Sequence, residues 1–131
     1  MGYLAPCDVD FLGTEKYDIL NFMGDLVSSR CDACNNLTPK LTSEQIADFR
    51  KQVKDWKVVN DHHILKKWNF ENFLKPLGFV NAVAEIAELE GHHPNINFSW
   101  GYVEITIWTH AIDGLSKNDF ILAAKIDAIT F

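Results

Sequence analysis

The sequence predicts a two-layer α+β domain: a four-stranded antiparallel sheet with three helices packed on one face, in the order α-β-β-α-β-β-α. Two observations carry this reading. Four short strand-like runs fall into two pairs, each joined by a tight turn, as in hairpins. Three stretches of 3.6-residue periodicity flank and separate those pairs. Hairpin-joined strands alternating with helices fit one antiparallel sheet covered on one side.

The first helix opens at Thr42, which with Gln45 makes a capping box, and Ile46, Phe49 and Val53 then recur at helical spacing. Trp56 to Asn60 reads as a strand, Asn60–Asp61 as a turn and Ile64 to Trp68 as the returning strand. From Asn72 the helical period resumes through Phe73, Leu77, Val80, Ala84 and Ala87. Pro76 sits in the first turn, where its missing N–H matters little, and Gly91 is placed to end the helix. Asn97 to Trp100 and Tyr102 to Thr109 form the second hairpin around Gly101, with Val103, Ile105 and Ile107 alternating against Glu104, Thr106 and Trp108. Ser116 with Asp119 resembles a second cap, and Phe120, Ala123, Ala124 and Ile126 lead the last helix.

With 131 residues, 47% hydrophobic and 23% charged, the chain has the mass for one core. The formal net charge of −6 argues against direct nucleic-acid binding, which needs a basic face. No apolar run is long enough to span a membrane. Residues 37–131 are read as the folded domain. Residues 1–36, irregular and rich in Gly, Ser and Asn, are read as a leader, partly ordered or of vector origin, in which Ile19 to Val27 have the pattern of one short helix. Three cysteines (Cys7, Cys31 and Cys34) do not make a disulfide scaffold, and the first residues carry no basic signal-peptide region. A cytoplasmic protein is the expectation.

Three of the five histidines stand where a fold presents side chains. His92 and His93 follow a helix end, and His110 follows the last strand. The negative end of the helix dipole, and Glu88 one turn before His92, favour a protonated ring there. Imidazoles in differing surroundings can be divided into a proton donor and an acceptor near neutral pH. Set against this, a His–His pair in a loop is commonly inert, and Asp119 has capping as its default role. His62–His63, in the first hairpin turn, is read as solvent-facing and remote from the pocket. Cys31-x-x-Cys34 has zinc-ligand spacing but no second pair, so no metal is expected.

Glu88-Leu89-Glu90-Gly91-His92-His93-Pro94, then Trp100, then His110 after Trp108-Thr109, then Asp119, resembles the signature of the pterin-4a-carbinolamine dehydratases. The resemblance extends over Leu41 to Ile129. It implies a small-molecule substrate, a 4a-hydroxytetrahydropterin left by an aromatic amino-acid hydroxylase, and a product, quinonoid dihydropterin, plus water. It implies no cofactor, and a homodimer or homotetramer that has such a hydroxylase as its expected functional partner. By the same resemblance His92, His93 and His110 are catalytic, with His92 the base at N5, His110 the acid at the hydroxyl and His93 positioning or sharing the acid role. Glu88 would orient a histidine, Trp56 would wall the pocket, and Thr109 and Asp119 complete the substrate-binding set. The alternative is a dimerising or regulatory module on the same fold with incidental catalysis, since animal members also serve as dimerisation cofactors of a homeodomain transcription factor. The presence of all three histidines favours the enzyme.

Overall fold

The computed structural model describes residues 26–131. Most of the short helix expected over Ile19–Val27 lies outside the described residues, and Leu26–Ser28 form a single 3-10 turn. The elements that follow are α1 (Ser43–Arg50), β1 (Lys57–Val59), β2 (His63–Asn69), α2 (Leu74–Glu90), β3 (Asn95–Ser99), β4 (Tyr102–Ile107) and α3 (Lys117–Asp127). Among the described residues no helix is long and apolar enough to cross a membrane.

Local chemistry explains where these elements start and turn. Thr42 Oγ1 accepts the Gln45 N–H at 3.2 Å and Gln45 Oε1 accepts the Thr42 N–H at 2.9 Å, so the capping box forms as expected. Asn72 Oδ1 accepts the Lys75 N–H at the start of α2. Asn60 and Asp61 both adopt left-handed backbone, with φ of 54° and 52°, as a tight hairpin turn between β1 and β2 requires.

The sheet is antiparallel throughout, in the order β1-β2-β4-β3. Pairing of Ile64 with Ile107, Lys66 with Ile105 and Trp68 with Val103 sets these side chains on the helix-covered face. Val103, Ile105 and Ile107 have no accessible surface, and each stabilises the fold by about 1.5–3 kcal/mol through burial. They pack with Trp56, Phe79, Val83, Leu115, Phe120 and Leu122 in one core. Lys66 also points to this face. Its ammonium lies 2.7 Å from Asp127 and 4.9 Å from the Trp68 ring centre, so the inward charge is paired and covered by aromatic surface.

The core takes in residues N-terminal to position 37. Leu26 and Cys31 are each only 2% exposed, and the 3-10 turn packs on α3. The Cys31 N–H donates to Glu90 Oε1 at 2.9 Å, while Asp32 exchanges two 2.9 Å hydrogen bonds with the Asn118 side chain. Glu90 is held in turn by Lys125 at 2.7 Å. From Leu26 onward, then, the stretch read as a leader contributes side chains and backbone hydrogen bonds to the domain. Leu26→Ala should lower the unfolding free energy by about 2–5 kcal/mol, the usual result of emptying a buried leucine site. Urea denaturation checks this, and a change below about 0.5 kcal/mol would show that the segment unfolds independently of the domain.

Candidate functional site

The site is built where α2 ends and where β4 runs into α3. Gly91 closes α2 with φ of 65°, a left-handed conformation that a side chain would strain. The His92 N–H reaches back to the Ala87 carbonyl at 3.2 Å, completing a Schellman-type turn. The turn sends consecutive histidines in opposite directions. His92 is 6% exposed, whereas the His93 side chain is 62% exposed.

His92 lies between two polar partners. Its Nε2 is 2.6 Å from Asp119 Oδ1, and its Nδ1 is 3.6 Å from Cys34 Sγ. Asp119 has no accessible surface, and its other oxygen accepts from Thr109 Oγ1 at 2.9 Å and from the Ser116 N–H at 2.8 Å. The Ser116 and Thr109 hydroxyls meet at 2.8 Å. Burial alone would push the His92 ring pKa down, but the hydrogen bonds to Asp119 and Cys34, with their charges, raise it to about 9.

The carboxylate expected to charge His92 was Glu88, one turn back along the helix. The structure corrects this: Glu88 Oε1 lies 2.6 Å from Nε2 of His93, and His92 takes its carboxylate from α3. The left-handed turn at Gly91 breaks the helical spacing on which that expectation rested. His92 is buried and both of its ring nitrogens are engaged, so its ring is less open to a substrate proton than that of His93.

His110 begins a 3-10 turn (His110–Ile112), and its exposed ring packs on Trp108 with centres 4.3 Å apart. Among the described residues its ring nitrogens make no hydrogen bond, and they do not contact His92 or His93. The link between the two loops runs through the backbone neighbour of His110: Thr109 holds Asp119, which holds His92. His62 and His63, expected to face solvent away from this region, are half-buried beside it. Their Nδ1 atoms are 3.0 Å apart, His62 Nε2 is 2.8 Å from Asp113, and both rings pack against Trp108. Burial, then repulsion from His62, lowers the His63 pKa, and the hydrogen bond from His62 lowers that of Asp113.

Three members of the expected substrate-binding set, Trp56, Thr109 and Asp119, are interior groups with no accessible surface. Trp56 has no accessible surface and donates its indole N–H to Asp127 at 3.0 Å. Thr109 is equally buried and serves Asp119. A concavity of about 570 Å³ lies elsewhere, between α1 and β1, with Ile46, Ala47, Arg50, Val58 and the expected wall residue Trp56 in its lining and none of the site histidines. Among the described residues no group of three potential ligands converges on a metal position. Sequence reasoning missed Cys34 as a neighbour of His92 and Asn118 as a neighbour of Cys34. Cys34 carried a signal, the Cys-x-x-Cys spacing, which pointed to a different chemistry, whereas Ser116 was legible as the cap that binds Asp119.

The His92 contacts predict a pH signature in stability. Folding raises the His92 pKa from 6.5 to about 9, so its contribution is fully present below the lower value and is lost as pH rises through the upper one. For Cys34 burial acts upward, but hydrogen bonds from His92 and Asn118 outweigh it and hold the thiol below its ordinary 9.0. That contribution has the opposite sign, present above the unfolded value and lost as pH falls through the folded one. Where pH lies between the folded and unfolded values of Cys34, its contribution opposes that of His92. Urea denaturation of Cys34→Ser should therefore show stability falling as pH rises from about 6.5 toward 9, at up to about 1.4 kcal/mol per unit, with a shallower fall in the parent and none in His92→Gln. Parallel profiles in all three would refute the coupling.

Comparison with known proteins matches this arrangement to one family. A model described as pterin 4 alpha carbinolamine dehydratase matches residues 39–129. A relative from Alkaliphilus metalliredigens, assigned as a pterin-4-alpha-carbinolamine dehydratase, is 45% identical over 106 residues, spanning 80% of this chain and 96% of its own. Another so assigned, from Rubrobacter xylanophilus, is 43% identical over 107 residues, 82% of this chain and all of the relative. Among solved structures, a transcriptional coactivator/pterin dehydratase from Brucella melitensis superposes with a TM-score of 0.65 at 26% identity, covering 69% of this chain and 97% of that one. A pterin dehydratase-like protein identified as a RuBisCO assembly factor in the alpha-carboxysome gives a TM-score of 0.50 at 28% identity over 57% of this chain and 88% of its own. With the match running from before α1 to beyond α3 and including every residue of the His92–Asp119–Thr109 linkage, the chain belongs to the pterin 4 alpha carbinolamine dehydratase family.

Proposed function

We propose that the chain is a hydro-lyase that converts a 4a-hydroxytetrahydropterin to quinonoid dihydropterin and water by histidine acid–base catalysis. The observation that carries this reading is that two exposed imidazoles in different surroundings, His93 and His110, stand on loops linked through Asp119. His93 gives its Nε2 to Glu88, which fixes the ring orientation and leaves Nδ1 as an acceptor. His110 packs on Trp108 with its nitrogens directed to no protein partner among the described residues.

In the reaction the N5–H proton passes to His93. The electron pair it leaves forms the N5=C4a double bond, the C4a–O bond breaks, and the departing hydroxyl takes a proton from His110 to leave as water. Positioned groups of this kind each contribute about 10²–10⁴ in rate. His92, charged and buried, holds the intervening structure and presents a fixed positive charge beside the loop. The pterin is supplied by an aromatic amino-acid hydroxylase, and the chain acts as a homodimer or homotetramer in the cytoplasm. A second reading, a protein-binding role on the same fold, is favoured by the exposed Leu74 and Leu89 of α2, at 76% and 81%, and by the names of the two structural neighbours.

The test is the rate of quinonoid dihydropterin formation from enzymatically generated carbinolamine, corrected for the uncatalysed reaction. His93→Ala and His110→Ala should each lower kcat by about 10² or more with little change in melting temperature. His92→Ala should lower both, because it strands a buried carboxylate. Retention of full activity by both His93→Ala and His110→Ala would remove the catalytic reading and leave the binding role.

A further inference from the structure

We propose that Cys34 is a reactive thiolate paired with the His92 imidazolium, a modification site for peroxide and other soft electrophiles within contact of the acid–base loop. The geometry gives the sulfur two donors. His92 Nδ1 lies at 3.6 Å, and Asn118 Nδ2 donates to it at 3.2 Å. An acceptor for a thiol proton, the Asp32 carbonyl at 3.8 Å, is the more distant group. A sulfur that accepts two N–H bonds is satisfied as an anion. Asp119, on the far side of the ring, completes the order sulfur, imidazole, carboxylate by which nucleophilic cysteines are activated.

The groups facing Cys34 come from three elements. From the turn after α2 comes His92. From α3 come Asn118 and Asp119, whose negative charge opposes the thiolate while His92 favours it. From its own loop come the Asp32 carbonyl and Cys31. Glu90 and Lys125, paired with each other, act on Cys31, whose thiol is pushed far up by burial and then by Glu90. The two cysteines of the Cys-x-x-Cys motif are thereby opposites. Cys34 is half-buried and activated, while Cys31 is buried and inert.

With hydrogen peroxide the sulfur attacks one peroxide oxygen and the O–O bond breaks. Sulfur is oxidised to sulfenic acid and the leaving hydroxide takes the His92 proton to become water. The product no longer carries the anion that His92 faced, so the modification alters the charge setting of the loop that bears His93. The chemistry at sulfur stands by itself, and only its effect on turnover rests on the dehydratase reading.

The test uses the full chain and site-resolved mass spectrometry of iodoacetamide labelling across pH. Cys34 should be alkylated near pH 6 at least about tenfold faster than in His92→Gln, and far faster than Cys31. The thiolate ultraviolet absorbance of the parent minus that of Cys34→Ser should titrate below the ordinary thiol range, and this measurement does not depend on the His92 variant folding. Peroxide with a sulfenic-acid trap should label Cys34. It should lower the dehydratase rate of the parent relative to its own untreated rate, reversibly with a thiol reductant, and should not do so in Cys34→Ser. An absorbance difference that titrates as an ordinary thiol, or labelling of Cys34 no faster than that of Cys31, would overturn the proposal. Trapping at Cys34 in a chain with no dehydratase activity would uphold this site and reject the catalytic reading instead.

Discussion

A single buried carboxylate organises the structure. Asp119 has no contact with solvent, yet it receives a backbone N–H, a hydroxyl and an imidazole. An ionised group without such partners is strongly unfavourable inside a protein, and removing one partner of a buried pair costs about 3–5 kcal/mol. The constraint therefore acts on three chain segments at once. Ser116 must begin α3, Thr109 must leave β4 with its hydroxyl inward, and α2 must end so that His92 turns toward α3. The loops bearing His93 and His110 sit where they do because their neighbours in sequence are committed to Asp119.

The same constraint separates two histidines that are adjacent in sequence. One carboxylate is interior and holds His92 as a cation, and another is on the surface and orients His93 without enclosing it. A two-residue motif thus supplies a structural charge and a solvent-facing imidazole, with the left-handed turn at Gly91 as the device that splits them.

Much of this was legible in the sequence because it depends on local chemistry. The capping box at Thr42, the hairpin turn at Asn60–Asp61, the alternation of Val103, Ile105 and Ile107 and the stop at Gly91 are each encoded within a few residues, and each forms where expected. The fixed offsets among Glu88, His92, His93, His110 and Asp119 pointed to the site as a set. The partners within that set were not legible. Pairing Glu88 with His92 by helical spacing fails because the helix has already ended, and the union of His92 with Asp119 crosses 27 positions. Trp56 was assigned by its aromatic character, but the sequence does not say that its indole N–H has an interior partner in Asp127. The docking of Leu26, Cys31 and Cys34 was hidden for a related reason: a short irregular segment shows no periodicity, and its contacts lie 58 to 87 residues away.

Those long separations bear on how the molecule assembles and breathes. A contact between Asp32 and Asn118 closes a loop of 86 positions, so it forms late, after the hairpins and α2 have brought α3 into place. Among the described residues the segment is then held by hydrogen bonds and by the buried Leu26, Ser29 and Cys31 rather than by a strand pairing. A segment so held is expected to open in native-state hydrogen exchange before the sheet does. Such an opening would take Cys34 away from His92 while Asp119 stays in place, and so would change the electrostatic surroundings of the imidazole without global unfolding.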